Sequence, residues 1–303
     1  NAGEGTDTLD VDATSRLNST AEGAQYTNFE TLELNNGVAV DMDNVTGSTI
    51  TGIVIEDAAG TTQVTDMNAT QAANVRIDAL AGAATLGIKN ASNVGQQDTL
   101  NITVSDGDST GSEAIAGTGN LTTTGIETIN ITATDDITLA DMRNMTGIQS
   151  LTVTGGGDVS IASNALALGA NVGIDFSGLT AATVLDMSAA TTNPFAFTGS
   201  ATAVDTFTSS GIGGNIINTG GGADQLALAA ITAGSAGHQI TMGAGADDLA
   251  TTGHIGNDAQ DVIFLIFAEG DSVSQAGQTN LVNTGATGVT DSVTALVNNA
   301  NAA

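Results

Sequence analysis

The 303-residue sequence has no cysteine, no tryptophan, one proline (Pro194) and four basic residues (Arg16, Arg76, Lys89, Arg143) against 33 Asp and Glu. Lack of cysteine excludes a disulfide framework and any thiolate metal site. A net charge of −29 repels phosphate backbones and anionic headgroups, whose binding runs on Lys and Arg, so direct roles on nucleic acid or a membrane surface are excluded. No apolar run reaches the ~18 residues of a membrane-spanning helix, and no charged and apolar leader follows Asn1. The chain therefore reads as a processed piece or a fragment. Aromatics at 3% exclude a core that leans on Phe, Tyr and Trp. Abundant, regularly placed Val, Ile, Leu, Ala and Thr exclude disorder.

What remains is β-structure. Helical periodicity is scarce, and short β-branched or alternating runs recur: Thr31-Leu32-Glu33-Leu34, Ile50-Thr51-Gly52-Ile53-Val54-Ile55, Leu100-Asn101-Ile102-Thr103-Val104, Ile129-Asn130-Ile131 and Leu151-Thr152-Val153. Gly, Asn, Asp, Ser and Thr clusters between them supply turns. The segment Phe29-Glu30-Thr31-Leu32-Glu33-Leu34, followed by Asp41-Met42-Asp43-Asn44-Val45-Thr46-Gly47, returns about a hundred residues later. There it reads Ile126-Glu127-Thr128-Ile129-Asn130-Ile131, then Asp141-Met142-Arg143-Asn144-Met145-Thr146-Gly147. Asp7-Thr8-Leu9 and Asp98-Thr99-Leu100 precede the two copies. Asp-Met pairs at Asp41, Asp66, Asp141 and Asp186 lie at near-multiples of about 22–25 residues, the length of one coil in a parallel β-solenoid. The expected fold is all-β, a parallel β-solenoid with internal repeats, its methionines filling gaps inside the coils and its Asp residues solvated at the corners. An antiparallel sandwich with a duplicated domain is the competing architecture.

The sharpest local pattern is Gly211-Ile212-Gly213-Gly214-Asn215-Ile216-Ile217 followed by Gly220-Gly221-Gly222-Ala223-Asp224-Gln225-Leu226, a tandem of nine-residue period. Single copies stand at Gly243-Ala244-Gly245-Ala246-Asp247-Asp248-Leu249 and Gly3-Glu4-Gly5-Thr6-Asp7-Thr8-Leu9, and Val204-Asp205-Thr206-Phe207 keeps only the acidic and apolar places. Glycines permit a tight turn with carbonyls facing a cation, the Asp closes on the same ion, and the apolar residue two places later points inward. One half-coil supplies half a site and a stacked half-coil the rest, which couples binding to folding. Carboxylates with backbone carbonyls are the hard oxygen ligands of Ca²⁺. The candidate metal ligands are thus Gly3, Gly5, Asp7, Asp205, Gly211, Gly213, Asn215, Gly220, Gly222, Asp224, Gly243, Gly245 and Asp247.

This pattern resembles the calcium-binding nonapeptide G-G-x-G-x-D-x-U-x of RTX proteins. Asn215 replaces the Asp in one copy, and Ala2, Thr219 and Met242 replace the first glycine in three. The resemblance implies a right-handed parallel β-roll that folds in external Ca²⁺ after type I secretion. The Asp-Thr-Leu, Glu-Thr-Leu/Ile and Asp-Met-x-Asn-x-Thr-Gly phrases, with Asp261-Val262-Ile263-Phe264-Leu265-Ile266-Phe267-Ala268-Glu269-Gly270-Asp271-Ser272, are similar to RTX-type bacterial surface-layer proteins. That similarity implies an extracellular, self-assembling, calcium-dependent coat at the bacterial surface, whose partners are copies of itself and cell-surface polysaccharide. An RTX adhesin or an ice-binding module is the alternative. For the latter, Thr49-Ile50-Thr51, Thr132-Ala133-Thr134 and Thr152-Val153-Thr154 keep no fixed period. The expected domains are a solenoid of two repeat units over 1–200, a calcium-binding roll over 201–275 and a tail over 276–303.

No catalytic role is expected. His238 and His254 are the only histidines and form no H-E-x-x-H. Gly107-Asp108-Ser109-Thr110-Gly111 matches G-x-S-x-G without a strand-to-helix setting. Asp106, Asp108, Gly111 and Glu113 open like an EF-hand, but Gly117 stands where its bidentate Glu belongs. The scattered basic residues cannot neutralise a uronate for a lyase, and nothing singles out a glycosidase carboxylate pair.

Overall fold

A computed structural model describes residues 2–12, 17–35, 37–56, 60–79, 82–93, 95–105, 119–141, 145, 147–162, 171–189, 194–231 and 236–251, and the strands 262–267, 272–275 and 292–297. The chain forms two compact units, Asn1–Ile148 and Gln149–Ala303.

In the first unit, β1 (Thr8–Val11), β2 (Thr31–Leu34), β4 (Gly52–Ile55), β6 (Val75–Ile77), β8 (Thr99–Val104) and β10 (Thr128–Ala133) lie side by side in that order. A second sheet runs β3 (Ala39–Asp41), β5 (Thr61–Met67), β7 (Ala83–Ile88), β9 (Gly119–Thr123), β11 (Ile137–Asp141). The chain alternates between the sheets, so each coil lays one strand on each wall and pairs with the coil before. Every recorded pair is parallel, which removes the antiparallel sandwich. Alternation puts every second residue inside. Leu9, Leu32, Ile53, Val75 and Ile102 stack as one buried column, and Val11, Leu34, Ile55, Ile77 and Val104 as the next. β-Branched side chains suit this narrow interior, where each meets its counterpart one coil away.

The second unit repeats the plan. One sheet runs β12 (Ser150–Gly155), β14 (Val172–Leu179), β16 (Phe195–Thr198), β18 (Ile216–Asn218), β20 (Gln239–Thr241), β22 (Val262–Phe267), β24 (Ser292–Val297). The other runs β13 (Val159–Ala162), β15 (Thr183–Met187), β17 (Asp205–Ser209), β19 (Gln225–Leu228), β21 (Asp248–Thr251), β23 (Ser272–Gln275). Four of its phenylalanines are buried together: Phe197 stacks on Phe207 at 5.0 Å between ring centroids, Phe176 meets Phe197 edge-on at 5.6 Å, and Phe195 lies 5.7 Å from Phe207. Within the 276–303 stretch, residues 292–297 form β24, parallel to β22.

Coils are less regular than the sequence spacing suggests. Residues hydrogen-bonded across one coil are 19 apart at Asp205 and Asp224 but 29 apart at Asp98 and Glu127. Loops outside the sheets absorb the difference, while the strand register is kept. Met42, Met67 and Met187 are buried, and Asp41 and Asp186 turn corners by accepting the N–H two residues on, from Asp43 and Ser188 at 2.9 Å each. Among the described residues no helix is long and apolar enough to cross a membrane.

Candidate cation site

In the second unit, a polar residue enters each half-turn two places before an inward apolar one: Asp205 before Phe207, Asp224 before Leu226, Asp247 before Leu249, Asn215 before Ile217, His238 before Ile240. These residues fall into two columns on opposite sheets. Asp205, Asp224 and Asp247 stack beside β17, β19 and β21, continuing the column of Val159 and Thr183. Asn215 and His238 stack beside β18 and β20, continuing that of Val172 and Phe195. The nine-residue tandem is thus two half-coils, and the structure parts Asn215 from Asp224 rather than joining them.

All five polar residues are buried, and in four of them the side chain of one coil takes the backbone N–H of the coil before. Asp224 Oδ1 accepts from Asp205 N–H at 2.9 Å, and Asp247 Oδ1 from Asp224 N–H at 2.8 Å. Asp205 accepts from the Thr183 hydroxyl and, through Oδ2, from Ser200 N–H at 2.7 Å. On the other column, Asn215 Oδ1 accepts from Phe195 N–H at 3.2 Å, and His238 Nδ1 from Asn215 N–H at 3.3 Å. The first unit uses the same device through Glu30, which accepts Asp7 N–H, and Glu127, which accepts Asp98 N–H, both at 2.8 Å.

Burial makes the acidic column electrostatically costly. It pushes the Asp205 carboxyl up to about 6, with the charge of Asp224 adding to the rise and the Thr183 and Ser200 hydrogen bonds opposing it. Adjacent strands lie about 5 Å apart. Two ionised neighbours then repel by about 3 kcal/mol at an effective dielectric near 20.

The backbone around this column is rich in oxygen. A Cβ at Gly220 would collide with the Ser200 carbonyl oxygen, and a Cβ at Gly222 would collide with that of Ala203 and itself lie 3.0 Å from Asp224 Oδ1. One coil on, a Cβ at Gly243 would strike the Gly220 carbonyl, and a Cβ at Gly245 would strike the Gly222 carbonyl and itself lie 3.1 Å from Asp247 Oδ1. Gly243 (φ +85°) and Gly245 (φ +152°) also hold conformations that L side chains rarely adopt. The turns that precede Asp224 and Asp247 are therefore packed against carbonyls of the preceding coil, oxygen donors of the type that suits Ca²⁺. Among the described residues no three Asp, Glu or His side chains form a metal-holding group, so backbone oxygens would have to supply most of the ligands.

The remaining candidates differ. Gly3 and Gly5 have nothing within 4 Å of a built Cβ, and a buried oxygen of Asp7, Oδ2, makes no hydrogen bond. Gly211 and Gly213 lie in the loop before β18, where a Cβ at Gly211 would meet the Ala230 carbonyl oxygen at 2.7 Å and one at Gly214 the Pro194 and Ala236 side chains at 3.5 and 3.6 Å. The Gly107-to-Gly111 match, the Asp106-to-Glu113 segment, Arg16, Arg143, Met142, Asn144, His254 and Glu269 lie outside the described residues. The sequence reading missed Glu30, Glu127, Thr183 and His238 as members of the corner columns. The recurring polar-x-apolar step, as in Glu30-Thr31-Leu32 and His238-Gln239-Ile240, is the signal that identifies all four.

The fold and corners define a parallel β-solenoid whose buried polar columns tie each coil to the next. No protein-family model, curated protein or solved structure matches the chain.

Proposed function

We propose that this chain is a structural, non-catalytic β-solenoid of a secreted bacterial surface coat, folded and cross-linked by Ca²⁺ outside the cell. The observation that carries the reading is the buried Asp205, Asp224 and Asp247 column, with backbone carbonyls of the preceding coil packed against the glycine turns before Asp224 and Asp247. Such a stack of carboxylates needs a counter-cation, and hard oxygen donors favour calcium over softer metals. The resemblance of the nonapeptides to RTX repeats supports type I secretion, and the surface-layer phrases support a lattice of identical copies held to surface polysaccharide.

Between copies, 29 net negative charges oppose contact. Sodium chloride only screens that repulsion over a Debye length of ~8 Å, whereas Ca²⁺ can be coordinated from both sides. Light scattering at matched ionic strength tests this. Growth in CaCl₂ and none in NaCl is expected, with sheets visible by electron microscopy. Growth in both salts would reject calcium bridging, and growth in neither would reject the coat in favour of a monomeric adhesin module.

A further inference from the structure

We propose that the roll of the second unit takes cations along one corner only, that of Asp205, Asp224 and Asp247, and that the opposite corner of Asn215 and His238 is a cation-free lock holding the coils in register. The inference rests on the calcium reading above and specifies which half-turns carry it.

Two observations distinguish the corners. The first is charge: one column carries carboxylates, the other an amide and an imidazole, both fully buried. The second is how the polar atoms are engaged. Asn215 directs Oδ1 to Phe195 N–H and donates Nδ2–H to the Ile212 carbonyl at 3.0 Å, while His238 receives Asn215 N–H on Nδ1. An accepting Nδ1 belongs to a neutral ring, and an imidazole nitrogen is a poor ligand for a hard cation. The carbonyl wall is common to both, since a Cβ at Gly211 of the second corner would meet the Ala230 carbonyl oxygen at 2.7 Å. A cation at the second corner would not find the charge it requires.

The neutral corner therefore needs no counter-ion and keeps its hydrogen bonds when calcium is withdrawn. Half of each coil stays registered, so calcium has only to close the other half. Two measurements on the full chain test this. In residue-resolved hydrogen exchange, chelation lowers protection of the Asp205 and Asp224 amides at least ~10-fold, while the Phe195 and Asn215 amides change less than ~2-fold. In equilibrium dialysis with radioactive calcium, Asp224→Asn binds fewer ions than the native chain. Asn215→Asp binds the same number, and its melting temperature falls equally with and without calcium.

An extra bound ion in Asn215→Asp, equal loss of protection at both corners, or undiminished binding by Asp224→Asn would overturn the inference. A native chain that binds no calcium would overturn it together with the calcium reading. Calcium binding without assembly would reject the coat and leave the one-sided row standing.

Discussion

Replacing Asp224 by Ala and by Asn separates its hydrogen bond from its charge. Asp224 Oδ1 is the acceptor for Asp205 N–H at 2.9 Å, and both residues are fully buried. In Asp224→Ala that N–H loses its acceptor where water does not compete, which costs about 1–3 kcal/mol. Asp224→Asn keeps an oxygen at the same place and removes only the charge. In chelator the alanine variant should expose the Asp205 amide about 5- to 150-fold more often than the native chain, since 1.4 kcal/mol is a factor of ten. The asparagine variant should match the native chain or be better protected, because it loses a repulsion of about 3 kcal/mol with each ionised neighbour. Calcium reverses the order: the native chain gains protection that neither variant gains in full. Hydrogen exchange of the Asp205 amide, with and without calcium, is the assay. Equal exchange in the alanine and asparagine variants in chelator would refute the hydrogen-bond ladder. A full calcium effect in Asp224→Asn would refute the part assigned to charge.

In chelator, Asp205 should make the second unit less stable as pH rises. Its folded pKa of about 6 lies above the ordinary value of 3.8, so the folded state holds the extra proton between them; the stabilisation is complete below about pH 4 and lost by about pH 6–7. Two pKa units correspond to about 3 kcal/mol, and partial solvation reduces this to about 1–2 kcal/mol. Denaturant titrations at pH 4.5 and 7.5 should differ by that much more in the native chain than in Asp205→Asn, and an equal difference in both would contradict the assignment. Phe207→Ala, which empties the centre of the aromatic cluster, should cost about 3–5 kcal/mol, against under about 0.5 kcal/mol for Val184→Ala at a position 43% exposed. Similar denaturation midpoints for the two variants would place the core elsewhere.

The parts of the fold legible in the sequence obey short-range rules. Alternation in Leu100-Asn101-Ile102-Thr103-Val104 identifies a strand because each side chain answers only to the two faces of a sheet, and β8 spans those residues. The Asp-Met corners were legible for the same reason, since a carboxylate bonded two residues along is a local turn. The nonapeptide likewise identified Leu226, Leu249 and Ile217 as interior residues, and each is buried. Coil length was less legible because loops vary without disturbing strand register, so the spacing of Asp-Met pairs reports an average rather than a rule.

The partners of the corner residues were hidden for a different reason. Asp98 and Glu127 are linked across 29 residues, Asp224 and Asp247 across 23, and no fixed offset joins such pairs. What recurs is the demand of the backbone itself: an N–H buried at a corner must find an acceptor on the next coil, and carboxylate, amide or imidazole can each meet it. Selection for that hydrogen bond alone leaves residue identity loose, which is how Glu127, Asn215 and His238 come to occupy equivalent corners. Holding a divalent ion is stricter, because it needs negative charge and an oxygen-rich wall together. The Asp224 and Asp247 corners combine both features, whereas the Asn215 corner has a carbonyl against Gly211 but lacks the charge. The nine-residue spacing records only the tight turn and the inward apolar residue, so it makes Asn215 and Asp224 look alike. The charge of the side chain itself distinguishes them chemically.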